Sequence, residues 1–314
     1  MATARTASRA PSRPAPGPRA RSGSARGRQT RAAWLFMLPT LVVLAVFVLW
    51  PMAQALYLSF TEYEVFTPAT WVGLDNYTRL LSDPAFGNAL ANTLYYAAVT
   101  TPLSVVLALA LALLLNQRLP LRGFVRTAVF VPVVISLAVV AIAWTFLLDP
   151  NIGLLSYWLS KVGVVTEQGW LRDPSLAMPA VMMVGVWKNV GFYMVMYLAG
   201  LQSIPTMLYE AARVDGAGAW ARFRNITWPL LANQTMLIVI LAAIATLQAF
   251  DQIFVMTRGG PFFRTETLVA MTYRIGFKEF QFGYGAAISF ALVVLIALLS
   301  IGQLLYFRKR TVTY

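Results

Sequence analysis

Cysteine and histidine are both absent from the 314 residues. Without cysteine the chain has no disulfide framework and no thiolate metal site. Without histidine it lacks the usual general base and the commonest metal ligand. Charge is scarce too. Asp, Glu, Lys and Arg make up 12% of the residues, about half the usual share of a soluble domain. Lysine is confined to Lys161, Lys188, Lys278 and Lys309, so arginine carries nearly all the positive charge. That bias, with the abundant alanine, reads as a GC-rich coding sequence and says little about mechanism. No G-x-x-x-x-G-K-[ST] occurs, so no P-loop for ATP is expected. No apolar run carries paired carboxylates, so neither a catalytic constellation nor a metal site is expected.

What the chain has is apolar length. Hydrophobic residues make up 59%, and a membrane-spanning helix needs about 20 of them in succession. Six runs qualify: Trp34 to Phe60, Leu90 to Leu115, Val125 to Leu148, Leu176 to Leu201, Leu231 to Met256 and Gly283 to Phe307. Lys188 interrupts the fourth and Asp251 the fifth. Pro39, Pro51 and Pro132 lie inside runs, where neighbouring helices can satisfy the carbonyls they free. The expected fold is all-α, a polytopic membrane protein of six transmembrane helices. No repeat with a period of 20–50 residues is evident; an inverted repeat of three plus three helices stays open.

The net charge of +13 would suit nucleic acid, but its distribution points to the membrane and no nucleic-acid partner is expected. Residues 1–31 carry eight arginines and no acid. Arg118, Arg122 and Arg126 follow the second run, Arg213, Arg222 and Arg224 follow the fourth, and Arg308, Lys309 and Arg310 follow the sixth. These four regions hold 17 basic residues against two acids, Glu210 and Asp215. The intervening loops hold seven basic residues and nine acids. The positive-inside rule then places both termini in the cytoplasm of a multi-pass protein of the cell membrane. Residues 1–31, rich in Arg, Ala, Pro, Ser and Gly, read as a disordered basic tail near anionic lipid. Ala53-Gln54-Ala55 fits a small-x-small cleavage site, but the run before it is too long for a signal peptide and cleavage would spoil the parity of the spans.

Between the fourth and fifth runs lies a polar island, YEAARVDGAGAWARFRNITWPLL, residues 209–231. Ser203 and Pro205 signal a helix start, good helix formers fill 206–214, and Gly216 with Gly218 stop the helix. A second short helix is expected with Trp220, Phe223 and Thr227 on one face, ended by Pro229. A helix lying on lipid headgroups would carry such a pattern too, but two acids would be repelled there. A protein partner fits better, with Glu210-Ala211-Ala212 offering a thin surface and Asp215 and the arginines making charge-assisted bonds at its edges.

Glu210-Ala211-Ala212, Asp215-Gly216-Ala217, Phe223, Ile226 and Pro229 resemble the EAA loop of binding-protein-dependent ABC importer permeases. The resemblance extends over nearly the whole chain after the tail, through segments such as LFMLPTLVVLAVFVLWPMAQALYLSF and FDQIFVMTRGGPFFRTETLVAMTYRIGFKEFQFGYGAAIS. It points to the sugar permeases of the maltose and glycerol-3-phosphate type. One departure is Asn233, near where family members often carry a second proline. The resemblance implies a type I ABC importer transmembrane domain over residues 32–310 with its coupling loop at about 203–230. It implies that Glu210, Ala211, Ala212, Asp215, Gly216 and Ala217 face a separate ATPase. It also implies the partners: a second homologous permease, two cytoplasmic ATP-binding subunits, an extracytoplasmic solute-binding protein and membrane lipid. ATP and Mg would belong to the ATPase, with no cofactor bound by this chain.

For the substrate path, ionisable groups inside a membrane usually face a cavity or a partner, which singles out Lys188 and Asp251. Asn189 and Tyr193 share a helical face with Gly185 and Phe192 nearby. Thr246 and Ala249 share one in the fifth run, with Gln248 and Gln252 close by. Aromatic rings suit the C–H faces of a sugar and amides its hydroxyls. The resemblance points to the same two helices. Ordinary helix–helix contact through small and polar residues would give the same pattern. A phosphate ester such as glycerol-3-phosphate, or another small solute, is the alternative cargo. An ion-coupled secondary transporter is the reading from another class; it would need more buried ionisable groups. A membrane-embedded enzyme is disfavoured by the missing His, Cys and acid pairs.

Overall fold

The computed structural model describes residues 22–117, 120–163 and 168–308. The chain divides at Gln54 into two units. The first contains helix α1, Ser22–Leu44, a π-helical turn Ala45–Leu49 and the start of α2, Trp50–Ser59. From Trp34 to Trp50 its large apolar side chains are exposed, as a lipid-facing helix requires.

Helix α1 begins ten residues before the expected end of the disordered tail. The prolines stop at Pro18 and the next is Pro39. Extending an existing helix backwards adds one hydrogen bond per residue fixed, so Ser22–Arg31 join the apolar segment behind them. The expected disorder of 1–21 lies outside the described residues.

In the second unit a bulged antiparallel hairpin pairs β1, Thr61–Glu64, with β2, Thr67–Trp71. Helix α3, Asp75–Ser82, follows, and Asn76 donates from its side chain to the carbonyls of Ser59 and Thr61 at 3.0 and 2.9 Å. Helix α4, Pro84–Leu115, is capped by Asp83, whose Oδ1 accepts from the Ala85 N–H at 2.8 Å.

The third apolar run is not one straight helix. Helix α5, Arg122–Val134, and α6, Leu137–Leu147, meet at 102° around Ile135-Ser136. Pro132 removes an N–H from the last turn of α5, and Ile135 and Ser136 are extended. Among the described residues five helical segments are long and apolar enough to cross a membrane, and the bent pair makes six. After α7, Leu154–Lys161, comes α8, Ala177–Ser203. It is the most covered span, with 67% of its apolar window buried against 11% for the last. Small residues allow this. A Cβ on Gly191 would collide with the Val129 carbonyl of α5, and one on Gly185 with the Tyr96 hydroxyl of α4.

The island holds α9, Thr206–Val214, α10, Ala219–Arg222, a π-helical turn Phe223–Thr227 and α11, Trp228–Leu230. Two expectations are corrected here. The Ser203 hydroxyl donates back to Gly200 O at 2.8 Å instead of capping α9; Pro205 occupies the cap. Pro229 lies inside the second helix, which turns only at Leu231. The π turn explains how. The Trp228 N–H reaches back to Phe223 O, widening the helix around Asn225, whose carbonyl the Pro229 ring would otherwise strike. Trp50-Pro51 repeats the device, with the Trp50 N–H bonded to Ala45 O.

The fifth span runs over Ala232–Met256, as the apolar run led one to expect, and its first part is helix α12, Ala232–Leu247. A break at 248–250 precedes α13, Asp251–Met256. The chain then runs through α14, Leu268–Tyr273, and a π turn, Arg274–Lys278, into the last span α15, Phe282–Arg308. Three apolar clusters tie the spans: α4 with α8 and α12 around Tyr197 and Ile238, α6 with α8 and α13 around Val181 and Ile253, and α14 with α15 around Met271 and Ile288.

Candidate coupling loop and substrate path

The island is built as a rigid knuckle. The Ala217 N–H bonds Ala212 O at 2.8 Å and the Gly216 N–H bonds Arg213 O at 3.1 Å. This double closure is a Schellman end, which needs a left-handed residue after the cap. Gly216 supplies it with φ +75°. Arg222 Nη1 donates to Ala217 O at 2.7 Å and locks α10 onto the turn. Tyr209 OH and Thr227 Oγ1 lie 2.9 Å apart and join the two helices.

Of the six residues expected at an ATPase contact, Glu210, Ala211, Asp215 and Gly216 are exposed, and Ala212 and Ala217 are half-buried. Among the described residues Glu210 and Asp215 enter no ion pair. Within the chain Arg213 and Arg222 bond backbone carbonyls, of Tyr209 and Ala217. Around the acids stand apolar side chains exposed by 70, 89 and 71%: Met207 and Val214, which the pattern did not single out, and Trp220, expected on a face of the second helix. The i, i+7 spacing of Met207 and Val214 on a helix in a polar island was the available signal. Exposed large hydrophobes around free acids make a contact surface rather than a solvated one.

The path residues fall into two groups. Gly185, Lys188, Asn189, Tyr193, Thr246 and Ala249 lie between packed helices. Asn189 Nδ2 donates to Gly185 O at 3.0 Å. The Tyr96 hydroxyl packs on Gly185 and accepts from Gln252 Nε2 at 2.9 Å, so α4, α8 and α13 share one polar string. Thr246 and Thr101 hydroxyls meet at 2.8 Å. Tyr193 is buried beside Tyr197, while Phe192 turns outward at 42% exposure. Gln248 and Asp251 form the second group, exposed at the break of the fifth span. Gln252, expected near Gln248, takes part, and so do Tyr96 and Thr101, which the sequence did not single out. Each is a polar residue inside an apolar run, which is a signal only when the facing helix is known.

Lys188 makes no pair with Asp251. Its Nζ donates to Val133 O at 2.8 Å, in the last turn of α5, and the residue is 8% exposed. The last carbonyls of a helix have no partner of their own and carry partial negative charge. The ammonium therefore closes the broken end of the third span.

At the opposite end, Asn88 and Asn92 donate to Phe263 O at 2.8 and 2.9 Å, and Asn92 also to Glu266 O at 3.0 Å. Glu266 is buried and gripped by Arg274 at 2.7 and 3.1 Å, with Glu279 on the third guanidinium nitrogen. The bond to Glu266 holds Arg274 above even its usual high pKa. The peptide Gly260-Pro261 is cis.

Comparison with known proteins fits this geometry. Residues 101–312 match the family described as binding-protein-dependent transport system inner membrane component. The lactose transport system permease protein LacF of Rhizobium radiobacter is 36% identical over 283 residues, covering 88% of this chain and 94% of that one. The sn-glycerol-3-phosphate transport system permease protein UgpA of Agrobacterium fabrum is 36% identical over 279 residues, with 88 and 94% covered. A crystal structure of a bacterial ABC transporter involved in the import of the acidic polysaccharide alginate superposes with a TM-score of 0.81 at 24% identity, over 92% of this chain and 99% of that one. With two thirds of its length inside the family and relatives 36% identical over 88% of it, the chain belongs to the binding-protein-dependent transport system inner membrane components and is a multi-pass permease subunit of an ABC importer.

Proposed function

We propose that this permease conducts a saccharide or a related polyol into the cell. It works beside a second homologous permease, with two cytoplasmic ATP-binding subunits and an extracytoplasmic solute-binding protein. ATP and Mg belong to the ATP-binding subunits, and this chain supplies no site for either. The observation that carries the coupling half is the island. A Schellman-locked turn presents small residues, two unpaired acids and three exposed apolar anchors at the end where basic residues collect. The positive-inside rule makes that end cytoplasmic. A rigid knuckle whose own hydrogen bonds are satisfied transmits a push to α8 and α12, between which it is inserted.

The cargo half is supported by the polar string of Gly185, Asn189, Tyr96 and Gln252, and by Gln248 and Asp251 at the break of the fifth span. Relatives named for lactose and for glycerol-3-phosphate keep both a neutral sugar and a phosphate ester in view. Lys188 does not decide between them, because its ammonium is taken by Val133 O.

Reconstitution of the whole importer tests the reading. A saccharide should raise ATP hydrolysis in the presence of the binding protein, and uptake should follow internal ATP. Uptake driven by an ion gradient without ATP would contradict it. A reporter inserted near Ala217 should read cytoplasmic and one near Gly260 external; the reverse would overturn the orientation.

A further inference from the structure

Six aromatic rings stand in series at the hairpin end. Phe250 and Phe254 stack at 5.2 Å, and Tyr273 lies 5.4 and 5.0 Å from them. Phe277 follows Tyr273 at 5.8 Å, Phe282 follows Phe277 at 6.3 Å, and Tyr63 of β1 lies 5.4 Å from Phe282. None of the six is buried, and none belongs to the three apolar clusters. Tyr197, in the first of those clusters, is fully covered. The six keep a face or an edge open along a line from the break of the fifth span, beside Gln248 and Asp251, out to the hairpin.

Midway the line borders a cavity of about 320 Å³, lined by Phe254, Arg258, Glu266, Tyr273, Arg274 and Lys278. That is the small end of the range for small-molecule sites. Its charges are of two kinds. Arg274 is spent on Glu266 and Glu279. Arg258 and Lys278 are exposed, and neither side chain makes a hydrogen bond or an ion pair among the described residues. Arg258 also holds φ at +52°, a left-handed conformation that glycine adopts freely and arginine does not. That φ belongs to the turn ending α13, where the Arg258 N–H bonds Ile253 O at 2.9 Å; the guanidinium is left free beside two open rings.

We propose that this cavity is a holding site for a saccharide bearing an anionic group, a carboxylate or a phosphate. The proposal rests on reading the chain as a sugar permease and narrows its substrate class. Phe254 and Tyr273 take the C–H faces of the ring, and Arg258 and Lys278 take the anion through charge-assisted hydrogen bonds. Arg274 offsets one of the two carboxylates it holds, Glu266 and Glu279, so the two cations of the rim, Arg258 and Lys278, outweigh the one negative charge that remains. Asp251, at the inner end of the ring series, sets a like charge beyond the cavity and keeps the anionic group at its cationic rim. A phospholipid headgroup phosphate presents the same anion to the same two cations. The continuation of the rings past the cavity in both directions favours a ligand that travels along them.

The test uses the complete membrane complex, both permeases with the ATP-binding subunits, in phosphatidylcholine nanodiscs, and measures binding of labelled glucuronate and labelled glucose by equilibrium dialysis. Glucuronate should bind about tenfold more tightly, two partly exposed charge contacts being worth about that much. The double variant R258Q/K278Q, altered only at exposed side chains and checked by co-purification, should bind the two sugars equally. F277A should weaken both by about threefold and leave their ratio unchanged. Equal binding by the unaltered complex, no binding of either sugar, or a preference that survives R258Q/K278Q would overturn the proposal. So would a preference abolished in phosphatidylglycerol nanodiscs, because a lipid headgroup would then hold the rim. Sugar-stimulated ATP hydrolysis by the full importer separates the two levels. If a sugar stimulates it but glucuronate shows no preference, the cavity assignment alone fails. If no sugar, neutral or acidic, stimulates it, the permease reading fails as well.

Discussion

The two ends of the bundle are held by different means. At the hairpin end, residues far apart in sequence are tied by side chains. Asn88 and Asn92 bond the carbonyls of Phe263 and Glu266, Thr93 Oγ1 accepts from the Leu268 N–H at 2.9 Å, and Tyr284 donates to Asp83 at 2.6 Å. A buried carboxylate and its arginine sit in the middle. At the island end the bonds are mostly local. Those of Gly216, Ala217 and Arg222 close the turn on itself, and Tyr209 with Thr227 joins neighbouring helices. The first arrangement fixes the spans relative to one another. The second makes a small unit that is rigid inside, so that it can be pushed as one piece.

Substitutions at the two ends should therefore separate stability from transport. The largest loss of stability is expected from Glu266→Gln, which strips the negative charge that Arg274 faces. It should lower stability by about 2–3 kcal/mol, discounted from a fully buried pair because Arg274 is partly exposed. Thermal unfolding in detergent would show it, and an unchanged melting temperature would break the comparison. Asn92→Leu, which takes the side-chain donor from Glu266 O and leaves Phe263 O to Asn88 alone, should cost about 1–2 kcal/mol by the same measurement. Tyr209→Phe, at the island, should cost less than about 1 kcal/mol, and a larger loss would mean that the island also holds the bundle. Val214→Ser should leave stability within about 0.5 kcal/mol, as for an exposed position, yet weaken co-purification of the ATP-binding subunit. Normal retention of that subunit would remove Val214 from the contact.

Much of this plan was legible in the residues. Apolar run length marked all six spans, and Gly216 after a run of good helix formers marked the turn of the island. The 102° bend was hidden because hydropathy records length, not direction. Val125 to Leu148 carries a single charge, Arg126 near its start, and only Pro132 and Ser136 hint that the path changes. Pro229 looked like a stop because the periodicity does not reveal a π turn that makes room for its ring. Lys188 drew attention as a membrane cation, but its partner is a backbone carbonyl, and every residue has one of those. The ring series was out of reach for another reason. Its members come from β1, α13, α14, the following π turn and α15, and only the fold brings them together.

The central claim is that the island carries ATP-driven motion into the spans while adding little to the stability of the bundle. Glu210→Lys in the reconstituted importer tests it most directly, with uptake, retention of the ATP-binding subunit and melting temperature measured on the same preparation. The account predicts uptake reduced more than tenfold and the ATP-binding subunit lost on purification, with the melting temperature of the permease pair unchanged, since Glu210 is exposed and unpaired. Normal uptake with the ATP-binding subunit retained would contradict it.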